Sequence, residues 1–106
     1  MTTPLGEFEQ VVLLAILRLG EEAYAVAVQN ETLRCTGRDV SRGSMYITLD
    51  RLETKGYLRL RLADPTPERG GRAKRYYTLR PTAVEALKDS RRALVALWRG
   101  LEGKLA

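Results

Sequence analysis

The chain has 106 residues, enough for one domain and no second core. Its 44% hydrophobic content excludes a disordered chain, and with one cysteine and no histidine it can build neither an intrachain disulfide nor a Cys/His zinc site nor a histidine acid/base. The net charge of +5 is unevenly placed: residues 1–40 carry 3 basic and 6 acidic side chains, residues 41–80 carry 10 and 4, and residues 81–106 carry 5 and 3, so the positive excess sits in the middle of the chain, where a polyanion would be met.

Thr3-Pro4 offers an N-cap and a proline at the first helical position. Phe8, Val11, Val12, Ala15, Ile16 and Leu19 then recur at helical spacing, with Leu13, Leu14 and Leu17 on another side. A helix apolar over more than half its circumference must touch more than one neighbour, and the second can be another subunit. Gly20 stops it. A second helix is expected within Glu21 to Thr36, starting near Ala23, with Val28, Thr32 and Cys35 on one face and Gly37 as its end. Cys35 reads as a small apolar filler.

Ser41 caps a third helix over 41–55. Met45, Tyr46, Leu49 and Leu52 form its expected buried face, and Ser44, Ile47, Thr48 and Arg51 its exposed one. Gly56 ends it. Tyr57 to Leu62 alternates, with Leu58, Leu60 and Leu62 facing one way and Tyr57, Arg59 and Arg61 the other. The stretch 64–72, with two prolines and Gly70-Gly71, is a basic loop, and Ala73 to Leu79 returns as the second strand. Tyr76 and Tyr77 are adjacent and face opposite sides, so one belongs to the core.

Arg80-Pro81-Thr82 opens the last helix. Val84, Leu87, Arg91, Leu94, Trp98, Leu101 and Leu105 are spaced 3, 4, 3, 4, 3, 4, a heptad seam of about three repeats interrupted by one charge. Such a helix projects from a small domain with nothing of its own to bury against, and a second copy is the economical partner. The expected fold is therefore mainly α with a two-stranded β wing: a winged helix-turn-helix over residues 1–80, followed by a dimerisation helix over 81–106.

A helix followed directly by a basic hairpin points to double-stranded DNA. Ser41, Arg42, Gly43, Ser44, Ile47, Thr48 and Arg51 on the helix are the candidate contacts, with Arg69, Gly70, Arg72 and Lys74 on the wing. Ser44 and Thr48 can hydrogen-bond base edges, and Ile47 can meet a thymine methyl. Gly43 admits a phosphate to the helix N-terminus, packs against the second helix, or does both. Arg51 either contacts a phosphate or pairs with a carboxylate near Glu53. Wing cations contact phosphates or the minor groove, and Lys74 and Arg75 alternate, so they do not both face DNA. Val84, Leu87, Leu94, Trp98, Leu101 and Leu105 are the dimerisation candidates. Trp98 is either seam packing or, with Arg91, part of a site for a small aromatic effector across the two-fold axis. The sequence offers no catalytic constellation, metal site or cofactor motif. It has no apolar run of membrane-span length and no basic-then-apolar leader, so a cytoplasmic protein is expected. The competing reading is a winged helix that binds a protein and not DNA.

The chain resembles the PadR family of bacterial transcription regulators. The resemblance lies in Leu5-Gly6-Glu7-Phe8-Glu9, in Ala23-Tyr24 and in the run from Ser41 through Gly43-Ser44-Met45-Tyr46, Leu49, Arg51-Leu52-Glu53 and Gly56. Arg69-Gly70-Gly71-Arg72, Lys74-Arg75-Tyr76-Tyr77-Thr78-Leu79 and Pro81 complete it. It implies a winged helix-turn-helix dimer held by one C-terminal helix, a palindromic operator, and a repressor released by an aromatic or lipophilic effector. Ala25 stands where many relatives have glycine and Ile47 where many have proline, so the operator sequence does not carry over.

Overall fold

The computed structural model describes residues 5–63 and 74–105. Helix α1 spans Glu7–Leu19. Gly6 before it is extended, and the Glu9 carboxylate reaches back to accept the Gly6 N–H at 2.8 Å, satisfying a donor the helix leaves free. The helix therefore opens later than Thr3-Pro4 suggested; that pair lies outside the described residues. Gly20, at φ +62°, ends it. After a short 3-10 turn over Gly20–Glu22, α2 runs Ala25–Thr36 and closes on Gly37, whose N–H bonds Leu33 O at 2.8 Å. Val28 and Thr32 are buried as expected, the Thr32 hydroxyl donating to Val28 O at 2.8 Å. Cys35 is not the expected filler: it is exposed.

Helix α3, Arg42–Thr54, starts where Ser41 predicts, with the Ser41 hydroxyl accepting the Ser44 N–H at 3.1 Å. Strands β1 (Leu58–Ala63) and β2 (Lys74–Leu79) pair antiparallel, Leu58 opposite Leu79 and Ala63 opposite Lys74. The β2 edge is met by one further bond, Tyr77 N–H to Ala23 O at 2.8 Å. Alternation puts Leu58, Leu60, Leu62, Arg75, Tyr77 and Leu79 on one face. Arg59, Arg61, Ala63, Lys74, Tyr76 and Thr78 lie on the other. Tyr77 is the core tyrosine of its pair. Tyr57 departs from the expected alternation. It sits in the bend before β1 and is buried beside Leu58, while Leu62 at the far end is exposed.

Val12, Leu13, Ile16, Val28, Met45, Leu49, Leu52, Tyr57, Leu58 and Tyr77 form the core, joined by Ala83 and Leu87 from α4 (Pro81–Trp98). Only the first half of α4 rests on the domain; every residue from Arg91 to Leu105 is exposed. The helix projects, and the molecule extends 55 × 32 × 21 Å. The expected seam is shorter than its spacing implied. α4 ends at Trp98, Gly100 takes φ +84°, and a 3-10 turn occupies Glu102–Lys104, so Leu101 and Leu105 lie beyond the helix.

Candidate nucleic-acid interface

The exposed face of α3 carries Ser44, Ile47 and Arg51, with Arg42 and Gly43 at its open N-terminal end. Ile47 is 61% exposed, an apolar side chain standing out on an otherwise polar face. A Cβ at Gly43 would meet nothing within 4 Å, so this glycine is not packed against α2 and the approach to the helix end is clear. Among the described residues Arg51 has no carboxylate at ion-pair distance, which removes the pairing near Glu53.

Two assignments on this helix change. Thr48 is only 5% exposed, with its hydroxyl donating to Ser44 O at 2.9 Å, so it belongs to the buried stripe with Met45, Leu49 and Leu52. Tyr46, expected in that stripe, is on the surface. Lys74 is also engaged inside the protein: its ammonium lies 3.6 Å from the Tyr24 ring centroid. Arg69, Gly70 and Arg72, with the rest of the 64–72 loop, lie outside the described residues.

Interactions distant in sequence fix α3 at both ends. Ahead of it, Arg38 donates two 3.0 Å hydrogen bonds to the Glu7 carboxylate, and Gln29 donates to Val40 O at 2.7 Å. At its C-terminal end, Lys55 donates to both Glu9 oxygens, at 3.1 and 2.8 Å. Burial alone pushes the Glu9 carboxyl up, but the Lys55 ammonium and the Gly6 N–H outweigh it, and the net pKa is lowered. The Arg38 hydrogen bond lowers that of Glu7. Arg34 first, then Arg18, hold the Glu31 carboxyl down to about 2. Sequence reasoning found none of these pairs.

Between α1 and α4 lies an open groove of about 650 Å³ lined by Leu14, Leu17, Leu87, Arg91, Leu94 and Trp98, among others. A Ser90 hydroxyl to Gln10 Oε1 hydrogen bond of 2.7 Å ties the two helices beside it. Val84, Leu87, Arg91, Leu94 and Trp98 all line this groove, so the helical part of the seam does face one way. Among the described residues no cluster of three His, Cys, Asp or Glu is placed to hold a metal, and no helix is long and apolar enough to cross a membrane.

The family model for the transcriptional regulator PadR-like family matches residues 13–89, from the middle of α1 into α4. The chain belongs to the PadR family. A PadR-like transcriptional regulator from Bacillus cereus superposes with a TM-score of 0.73 at 19% identity, covering 92% of this chain and 90% of that one. A PadR family transcription regulator from Clostridium difficile gives 0.70 at 17%, covering 93% and 99%, and a transcriptional regulator from Clostridium thermocellum 0.71 at 15%, covering 90% and 86%. At these identities the structures share the fold. No curated protein matches the sequence. PadR proteins are transcription regulators and not enzymes, and the mainly helical architecture with a two-stranded wing is theirs. This PadR chain is accordingly a DNA-binding transcriptional regulator.

Proposed function

We propose that this PadR protein is a cytoplasmic homodimeric repressor that binds an inverted-repeat operator. Residues 1–80 form the DNA-reading unit and 81–106 the dimerising arm. Each α3 enters a major groove, with half-site centres roughly 34 Å apart or a multiple of it. Ser44 and Ile47 read base edges; Ser41, Arg42 and Gly43 hold the backbone around the helix N-terminus, where the helix dipole favours a phosphate, and Arg51, in the last turn, meets a separate phosphate. Arg69, Gly70 and Arg72 on the wing supply sequence-independent phosphate contacts. The observation that carries this reading is the exposed Ile47 on a capped helix whose N-terminal approach is unobstructed.

Duplexes selected by the purified protein from a random pool test it. An inverted repeat should emerge, and Ile47→Ala should relax preference at one position in each half-site, by about 1 kcal/mol or roughly fivefold. Arg72→Ala should instead weaken all sequences alike and reduce the salt slope by roughly one per lost phosphate contact. Uniform loss from both variants would show that α3 is not the reading helix. A protein that retains no duplex at moderate salt is the protein-binding winged helix instead.

The effector site is proposed where the α1–α4 grooves of two copies meet across the two-fold axis. Trp98 gives a planar apolar wall and Arg91 a cation for an anionic group, so flat aromatic acids fit its chemistry. A ligand that favours one inter-subunit angle shifts the half-site spacing and lowers operator affinity. Trp98 is the only tryptophan, so its fluorescence reports this site alone. Planar aromatic acids should quench it and release DNA in parallel. Release that persists in Trp98→Ala would place the effector elsewhere.

A further inference from the structure

Tyr24 stands at the junction of the 3-10 turn and α2 and contributes nothing to the buried core. Its ring is instead held by the wing. Lys74 Nζ lies 3.6 Å from the Tyr24 centroid and 5.8 Å from that of Tyr76. The two rings meet edge to face, with centroids 5.8 Å apart and planes at 77°. Arg61, directly opposite Tyr76 in the strand register, places its guanidinium 4.7 Å from the Tyr76 centroid. Both strands are thereby referenced, on the sheet face away from the core, to one residue of the helix-turn-helix.

We propose that Tyr24 is a positioning residue for DNA binding: gripped by Lys74 and Tyr76, it sets the angle at which the hairpin leaves the domain. At its base the sheet is held by the buried Leu58 and Tyr77 and by the backbone bond from Tyr77 to Ala23. Further out on the same face Leu62 and Arg75 are exposed, so the core does not hold that end of the hairpin. Lys74 lies three residues from Tyr77 along β2, roughly 10 Å away at about 3.3 Å per residue. A contact at that lever arm holds the outer end. Because α2 is itself tied to the start of α3 through Gln29 and Val40, hairpin and reading helix then move as one body.

Lys74 thereby changes role, from DNA contact to internal clamp. An ammonium seated on an aromatic face at this distance is in the attractive range of the ring quadrupole. Its charge stabilises the protein's own geometry, and a phosphate would have to draw it away. Tyr24 carries no charge at all, which makes the role separable from a direct phosphate contact.

The inference rests on the DNA reading, so wild-type protein is the first arm. Affinity is measured by fluorescence anisotropy against potassium chloride concentration, with one selected duplex and one scrambled duplex. Tyr24→Leu should lose roughly two units of the log–log salt slope on both duplexes although no charge is removed. The base preference read by α3 should stay, and the melting temperature should fall little. Tyr24→Phe, which keeps the ring, should restore the wild-type slope. Lys74→Gln should lose as much as Tyr24→Leu, and the double variant no more than either. A wild-type slope in Tyr24→Leu overturns the role, as does a one-unit loss confined to Lys74→Gln, the signature of a plain phosphate contact. If Tyr24→Leu does not fold, Lys74→Gln and Tyr24→Phe decide: a one-unit loss in the former, or an impaired slope in the latter, overturns it equally. Wild-type protein that binds neither duplex in a salt-dependent way sinks the DNA reading, and this role with it.

Discussion

Replacing Leu17 and Leu94 together by aspartate is expected to convert a dimer into a folded monomer that binds its operator about 10²- to 10⁴-fold more weakly. Both side chains are about half exposed in the single chain, so carboxylates there remain hydrated and the core is untouched. They are also opposite walls of the α1–α4 groove, next to Trp98 and Leu14. Burying the exposed half of one such side chain contributes about 1 kcal/mol, and a two-fold axis counts each of them twice. An exposed apolar face of this extent on a small regulator needs a cover. Sedimentation should show the change in mass, and circular dichroism an unchanged helical signal. A wild-type protein that sediments as a monomer, or a double variant that remains a dimer, would remove the groove as the interface. The large loss in affinity arises because one half-site must then be held without the effective concentration that the second provides.

Glu9→Gln should cost about 2–4 kcal/mol of folding stability, since it leaves the Lys55 ammonium, itself mostly buried, without its anion. It should also flatten the acid limb of the stability curve. The Glu9 carboxyl is held below its ordinary value of 4.5, so the folded state binds its proton less readily than the unfolded chain does. The pair's contribution is therefore complete above the unfolded pKa and disappears as pH falls through the folded one. Glu7 and Glu31 are shifted the same way, Glu31 to about 2, so wild type should lose stability steadily below about pH 4.5. Urea melts of wild type and Glu9→Gln at pH 7 and pH 3 measure the difference, which should narrow at the lower pH. An equal gap at both values would mean that the ion pair is not what the substitution removed.

What the sequence disclosed follows from how local each signal is. Ser41, Gly20 and Gly37 act on their own helix ends, and the structure places those ends where these residues put them. Facing is less local. The buried stripe of α3 is centred between Met45 and Thr48, not between Met45 and Tyr46, and a threonine is admissible there because its hydroxyl bonds within the helix. Polarity scales favour tyrosine and miss this. Tyr57 reads as part of the strand alternation, yet the bend before β1 turns two successive residues inward. The heptad spacing in α4 ran past its helix, and the missed signal was Gly100 followed by Gly103. The pairs that hold α3 join residues 31 and 46 positions apart, and no periodicity encodes them. The Tyr24–Lys74 contact is of the same kind.

The wing sheet has two edges, and they are protected differently. The β2 edge is blocked at Tyr77 by the Ala23 carbonyl. The β1 edge is open among the described residues, a short row of amide and carbonyl groups that another chain could extend. Arg59 and Arg61 are exposed along that strand. A second β1 added there would bring its own two arginines within about 5 Å of these, a like-charge ladder that opposes the pairing. Charge along this edge thus works against edge-to-edge association of hairpins. Neutralising both arginines should leave the fold alone and make the protein prone to precipitate as it is concentrated.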